Sequence, residues 1–293
     1  VSVASPVPRY AAMLAARTER TGSVLCLGID PDPVAVPPAL GTGLAGIERF
    51  ARLILEAAGP MAAAVKVNVA FFEAWGSPGV AALERVRAGV PSDLPFIADA
   101  KRGDIGSTSE RIAEALFDRL GADAITANPY LGADAIAPLL DRPDRHVYLL
   151  CRTSNPGAAE LQGLRVAADP MDGAPEEILA LRVARRAVGW ERHPGTVGLV
   201  VGATAPEEMS AIRSVAPGLP FLVPGVGAQG GDAAAAVSRG RATAGPAFSR
   251  APGGGLLVNV SRGIAAAAHD AADPGAAIAA SARRWAADLR VLR

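Results

Sequence analysis

Eight short apolar runs punctuate this 293-residue chain, and a longer stretch of helical periodicity follows each one. The runs are 23–29, 63–69, 95–98, 123–127, 146–151, 196–201, 220–223 and 256–260. The helical stretches are 44–58, 79–89, 107–120, 132–140, 176–192, 205–215, 231–239 and 275–290. Runs that are apolar throughout, rather than alternating, mark strands covered on both faces, the pattern of parallel strands under helices. Eight such units in a chain of this size predict an α/β fold, a (β/α)8 TIM barrel forming a single domain over 1–293 with an N-terminal helix at about 8–20. An open doubly wound sheet is the alternative, and no GxGxxG opens the first unit to favour it. Half the residues are hydrophobic but only 4% are aromatic, so Ala, Val, Leu and Ile must build the core.

Charge narrows the partners. Lys and Arg number 29 and Asp and Glu number 29, so formal net charge is zero. That excludes a general electrostatic grip on nucleic acid or an anionic membrane. An anionic ligand must be held by a few placed groups. No apolar run approaches the ~20 residues of a membrane span. Tyr10 to Ala16 is followed at once by Arg17, Glu19 and Arg20, which fits an amphipathic helix better than a signal peptide. A cytoplasmic protein is expected. Cys26 and Cys151 lie in apolar runs and read as small core residues. His146, His193 and His269 have no ligand spacing, so no zinc site is expected.

In a barrel the chemistry sits at the C-terminal ends of the strands. Strand one ends in Asp30, strand two carries Lys66 and Asn68, and strand three ends in Asp99 and Lys101. Strand four ends in Asn128, and strand five in Arg152, Thr153, Ser154 and Asn155. Lys66 and Asn68 are i and i+2 and face one side of their strand; Asp99 and Lys101 have the same relation. Two lysines and an aspartate therefore converge on one mouth, with Asp30 alongside. A carboxylate between two ammonium groups stays ionised and the lysines keep their protons. A structural ion-pair network at the rim is the blander reading.

Strand seven runs into PGVGAQGGD and strand eight into NVSRG. The loops after these strands form the usual phosphate site of such barrels. Gly225, Gly227, Gly230 and Gly231 would let backbone approach an oxyanion, with the N–H groups of the next helix facing it. Arg262 supplies a two-pronged donor beside Ser261, and Gln229 an amide. Plain turn chemistry is the competing reading. Two glycine- or proline-bearing stretches, 152–175 and 240–255, break the rhythm, and each could cover a site or be a surface insertion.

From Asp99 to Ile105 the chain reads DAKRGDI, which resembles the DxKxxD signature of the orotidine 5'-phosphate decarboxylase family. Asp30 in LGIDP, Lys66 in VKVN, Ser154 in RTSNPGA, Gln229 in PGVGAQGGD and Arg262 in VSRG fall in that family's order. KVNVAFFEAWG, ANPYLG and RTSNPG look like its longer bacterial subgroup. The resemblance spans about residues 24 to 264. It implies loss of carbon dioxide from orotidine 5'-monophosphate (OMP) to give uridine 5'-monophosphate (UMP), the last step of de novo pyrimidine synthesis, with no metal and no organic cofactor.

The roles that follow are likewise what the resemblance implies. Lys101 stabilises the anion left at C6 and then protonates it, with Asp99 beside the departing carboxylate. Lys66 bridges Asp99 and the ribose, and Asp30 accepts from a ribose hydroxyl. Ser154 binds the pyrimidine, while Gln229 and Arg262 hold the phosphate. Asp104, Ile105 and Thr108 would reach into the neighbouring subunit's site in a homodimer with shared sites. The sequence alone leaves open that Asp104 folds back on its own chain. Asn68 and Asn128 receive no certain role and are equally readable as turn caps.

Two rival functions carry different expectations. A magnesium-dependent sugar-phosphate decarboxylase or aldolase of the same superfamily places a metal-binding carboxylate where this chain has Lys66, which offers a cation no oxygen. A catalytically silent phosphate-binding barrel should have lost some of the charged rim, and none is missing.

Overall fold

The computed structural model describes residues 7–170, 173–191, 193, 195–227 and 230–292. Its strands are β1 (Leu25–Ile29), β2 (Ala64–Asn68), β3 (Phe96–Arg102), β4 (Ala124–Ala127), β5 (His146–Arg152), β6 (Arg165–Val166), β7 (Glu177–Ile178), β8 (Val197–Val201), β9 (Phe221–Val223) and β10 (Leu257–Val260). Eight of them close a barrel in the order β1-β10-β9-β8-β5-β4-β3-β2, and every neighbouring pair in it is parallel. The sixth, seventh and eighth barrel strands are thus β8, β9 and β10, and the doubly wound alternative falls.

The helices are α1 (Arg9–Thr21), α2 (Gly43–Ala58), α3 (Ala70–Glu73), α4 (Gly76–Ala88), α5 (Gly106–Ala113), α6 (Ala133–Leu140), α7 (Ala158–Gln162), α8 (Leu179–Trp190), α9 (Pro206–Val215), α10 (Ala233–Arg239), α11 (Arg262–Ala265) and α12 (Pro274–Asp288). The long helices α2, α4 and α8 each bury a stripe against the outward side chains of the strands. On α2, Ile47, Phe50, Ala51, Ile54 and Ala58 recur every three to four residues and are buried. Each such large side chain contributes about 1.5–3 kcal/mol by leaving water. The stretch expected as one helix over 107–120 is α5 continued by a π-helical segment, Glu114–Arg119. None of the described helices is long and apolar enough to cross a membrane.

Inside the barrel a second apolar cluster forms the floor. Inward residues Cys26, Ala64, Ile97, Ala124, Tyr148, Leu222 and Leu257 pack with Tyr10 and Leu14 of α1. Tyr10 and Tyr148 share a hydrogen bond of 2.9 Å between hydroxyls, and His146 stacks on Tyr10 with ring centroids 4.7 Å apart. Burial pushes the His146 imidazole down to about 3, so it is neutral. Both cysteines are buried, as expected of core residues, and burial pushes each thiol up to about 12.

Two expectations about loops need correction. The stretch 240–255 does not cover a site at the mouth. It precedes β10 and so lies at the N-terminal end of the barrel, where Phe248 is buried in the floor cluster edge-on to His146, at 6.0 Å. The stretch 152–175 is not a bare loop either. It contains α7 and β6, and β6 pairs antiparallel with β7. A two-residue strand and a five-residue helix are too short to leave a readable period.

Candidate active site

The barrel opens at the C-terminal ends of its strands into a cavity of about 490 Å³. Above the apolar floor the inward positions turn polar: Lys66 on β2, Asp99 on β3, Thr126 on β4 and Asn259 on β10 all line it. Asp99 Oδ2 accepts from Lys66 Nζ at 2.5 Å and Asp99 Oδ1 from Lys101 Nζ at 2.6 Å. Lys66 and Asp99 are buried, whereas the Lys101 side chain is 48% exposed at the rim. Burial would raise the Asp99 pKa, but the two ammonium groups overcome it and hold the carboxyl well below its usual range. Burial would likewise lower Lys66, and the Asp99 and Asp30 carboxylates more than offset it, leaving the ammonium harder to deprotonate than usual. The predicted charged row is therefore present, with Asp99 held as a carboxylate and Lys66 as an ammonium.

The route by which Lys101 reaches Asp99 differs from the i, i+2 expectation. Ala98 pairs with Ile125 and Arg102 with Ala127, so three residues of β3 stand opposite Thr126 alone. Within that bulge Lys101 takes φ of 50°, the one non-glycine residue at positive φ among the described residues. A left-handed conformation costs a residue with a Cβ about 1–2 kcal/mol. Bulges of this kind re-aim a side chain, and here the re-aimed group is the rim ammonium. Strict alternation ends at Asp99, and the bulge turns Lys101 back over it.

Across the mouth, β1 and β10 contribute a different kind of group. Asp30 Oδ1, Asn259 Oδ1 and Ser261 Oγ are buried and have no hydrogen-bond partner. Gly28 makes room for the latter two, since a Cβ there would stand 2.6 Å from Ser261 Cβ and 3.0 Å from Asn259 Oδ1. Arg262, exposed at the start of α11, lines the same cavity. Gly225 lines it too and has φ of 97°, while the amide of Gly231 donates to its carbonyl at 2.9 Å and closes the turn. Gln229 lies outside the described residues. The helix after this turn has two of its first N–H groups already taken. The carboxylate of Asp232 caps α10, accepting from Ala234 and Ala235 at 2.8 and 3.2 Å.

Ser154 lines the cavity, close against Gly202, where a Cβ would stand 2.9 Å from the Ser154 Cα. Arg152 points elsewhere, onto Glu208 of α9. Asn68 and Asn128 act as local turn caps, accepting from the amides of Ala70 and Tyr130 at 3.2 and 3.0 Å. Asp104, Ile105 and Thr108 do not line the cavity of their own chain. The Asp104 carboxylate accepts from the Ile105 amide at 2.8 Å, and Ile105 is 57% exposed. Sequence reasoning passed over Thr126, Asn259 and Gln162. The first two are single polar residues in otherwise apolar runs, AITA and LVNV, and that interruption was the available signal. Gln162 of α7 holds Thr153, accepting from its amide at 2.8 Å and donating to its hydroxyl at 2.9 Å, with no such mark in the sequence.

Residues 23–278 match the model of the Orotidine 5'-phosphate decarboxylase / HUMPS family. An orotidine 5'-phosphate decarboxylase of Thermomicrobium roseum is 45% identical over 268 residues, which cover 92% of this chain and 89% of that one. The structure of Leishmania donovani OMP decarboxylase is similar at a TM-score of 0.78 and 39% identity, over 96% of this chain and 97% of that one. The Leishmania donovani UMP synthase structure gives a TM-score of 0.80 at 41% identity over 96% of this chain, and the match spans 55% of that longer protein.

Proposed function

This chain belongs to the orotidine 5'-phosphate decarboxylase / HUMPS family, and from that premise we infer how its barrel mouth works. The activity is that of a carboxy-lyase: OMP is converted to UMP and carbon dioxide in pyrimidine biosynthesis. Breaking the C6–carboxylate bond leaves an electron pair at C6 with no conjugated sink. Electrostatics and a ready proton are what can stabilise it. Lys101 supplies both. Its ammonium faces the developing carbanion, hands a proton to C6 and is left as an amine that recovers a proton from water. Asp99 stands beside the departing carboxylate and holds the lysines in place. Lys66, behind it, reaches the ribose.

The remaining cavity residues divide the rest of the nucleotide. Arg262 and the glycine turn from Gly225 take the phosphate, joined by Ser261 and Gln229. Asp30 accepts from a ribose hydroxyl, a role that its unpartnered buried oxygen supports. Ser154 meets the pyrimidine. Because phosphate contacts are remote from C6, their binding energy can be spent on organising the site around the base. Asp104, Ile105 and Thr108 complete the neighbouring site in a homodimer. Their absence from their own cavity and the exposure of Ile105 support that reading. The substrate and product are soluble nucleotides, and a cytoplasmic location fits.

The observation that carries this mechanism is one carboxylate with an ammonium at 2.5 Å on one oxygen and another at 2.6 Å on the other. The direct test follows the ultraviolet change of OMP on mixing with the protein in EDTA. Turnover unchanged by the chelator is expected. Turnover abolished by it would assign the chemistry to a metal instead.

A further inference from the structure

The three residues of β3 that bulge, Asp99-Ala100-Lys101, face one residue of β4, and that residue is Thr126. Its side chain is buried, with 2% of the residue exposed. A hydroxyl has one proton to give and lone pairs to accept with. Thr126 uses both functions inside the bulge. Its Oγ1 donates to Asp99 Oδ1 at 2.8 Å and accepts from the Lys101 backbone amide at 2.9 Å. Asp99 Oδ1 therefore receives Thr126 and the Lys101 ammonium, while Oδ2 receives Lys66. Held on both oxygens from three strands, the carboxylate cannot rotate. The same hydroxyl ties down the amide of the residue in the left-handed conformation. A threonine that was only filling the lumen would need one hydrogen bond to a carbonyl nearby. This one ties together the carboxylate and the backbone of the ammonium that acts on it.

We propose that Thr126 is a positioning residue for decarboxylation, its hydroxyl locking the Asp99 carboxylate and the left-handed turn at Lys101 so that the ammonium is delivered to C6. The proposal rests on Lys101 being the proton donor. Without the hydroxyl the Lys101 amide loses its acceptor, the left-handed conformation loses its support, and the side chain swings off its line. Misplacement of a reacting group by about 1 Å costs on the order of 100-fold in rate. Binding of the phosphate and ribose, which the proposed function assigns to other residues, should be unchanged.

The test compares Thr126→Val, which keeps the shape and removes the polar atom, with Thr126→Ser, which keeps the hydroxyl, and Thr126→Ala, which removes it without filling the lumen. Wild-type turnover of OMP is measured first, and its failure would strike the decarboxylase reading rather than this one. The expected result is a kcat about 10- to 100-fold lower in the Val and Ala variants. Ser should restore kcat to within a few-fold of wild type, and the Kd for UMP should stay constant throughout. Should Val not fold, the Ala and Ser variants carry the comparison. A kcat unchanged in Val or Ala, a Ser variant as slow as they are, or a loss expressed in Kd instead of kcat would each overturn the proposal.

Discussion

Lys101 is half exposed at the rim, while the Lys66 and Asp99 it works with are buried. Truncating the three should therefore fail in different ways. Lys101→Ala removes the proton donor without stranding a buried charge. It should abolish turnover, leave the melting temperature nearly unchanged and still bind UMP; a variant retaining more than a small fraction of kcat would remove Lys101 from the proton-donor role. Asp99→Ala leaves the Lys66 ammonium buried and unpaired, a kind of change that costs about 3–5 kcal/mol, so its denaturation midpoint should fall clearly below that of Lys101→Ala.

The pH response has a definite sign. Asp99 titrates below its unfolded value, so the stability it contributes is present above about pH 4 and is lost only as pH falls through its depressed folded pKa. Lys66 titrates above its unfolded value, so its contribution is full below about pH 10 and is lost only as pH rises through the raised one. At saturating OMP, kcat should show no acid limb between about pH 5 and pH 7. A midpoint inside that window would mean that a differently perturbed carboxylate acts in the step. For Arg262→Ala, binding of the substrate should weaken by about 1.5–3 kcal/mol relative to wild type. The phosphate-free nucleoside should bind nearly as before, and equal losses for both ligands would place the phosphate elsewhere.

Among the elements, α12 does more than seal the barrel between its first and last units. Trp285 lies against both loops of the expected phosphate site: a Cβ at Gly227 or Gly263 would stand 3.2 Å from its ring. Its indole N–H donates to the Gly263 carbonyl at 3.3 Å, and Ser281 of the same helix donates to that carbonyl at 3.0 Å. The helix thus fixes the spacing between the turn after β9 and the start of α11, which carries Arg262. Trp285→Ala should raise the KM for OMP about 10-fold or more, by analogy with losing part of a charged hydrogen-bond contact. The slow turnover of phosphate-free orotidine should change little, and a matching loss on orotidine would mean that the helix supports the whole barrel rather than the phosphate loops. Trp285→Phe, which keeps a ring against the glycines, should fall between.

For the whole molecule the open question is where one site ends and the next begins. Asp104, Ile105 and Thr108 do not line their own chain's cavity, and Ile105 at 57%, Tyr130 at 80% and Leu131 at 49% leave apolar surface exposed. If the partner's segment completes each site, a twofold interface makes the loan reciprocal. Asp104→Ala and Lys101→Ala proteins should each be nearly inactive. Mixed under conditions that exchange subunits, half the dimers become mixed and each holds one intact site, so about a quarter of wild-type activity should return. Recovery of none, with exchange verified, would place Asp104 in its own chain's site.

The barrel, the order of its units and the convergence of Lys66 and Asp99 were legible because they rest on local regularities: the apolar period of each segment and the phase of neighbours two apart along a strand. Asp30, Lys66, Asp99, Lys101, Ser154, Ser261 and Arg262 all line the cavity that this local reading placed at the strand ends. What tertiary structure decided depends on which residues meet across the sheet. Thr126 gains its place because β3 slips against β4 in the bulge, and no spacing within either strand reveals that slip. Asn259 becomes a buried, unpartnered acceptor only when β10 closes onto β1. The stretch 240–255 looks like any glycine-rich loop until barrel closure assigns it to the floor. A sequence carries its own periodicity in every window, but the partner of a strand or loop lies tens of residues away, and pairing is settled only when the whole barrel closes.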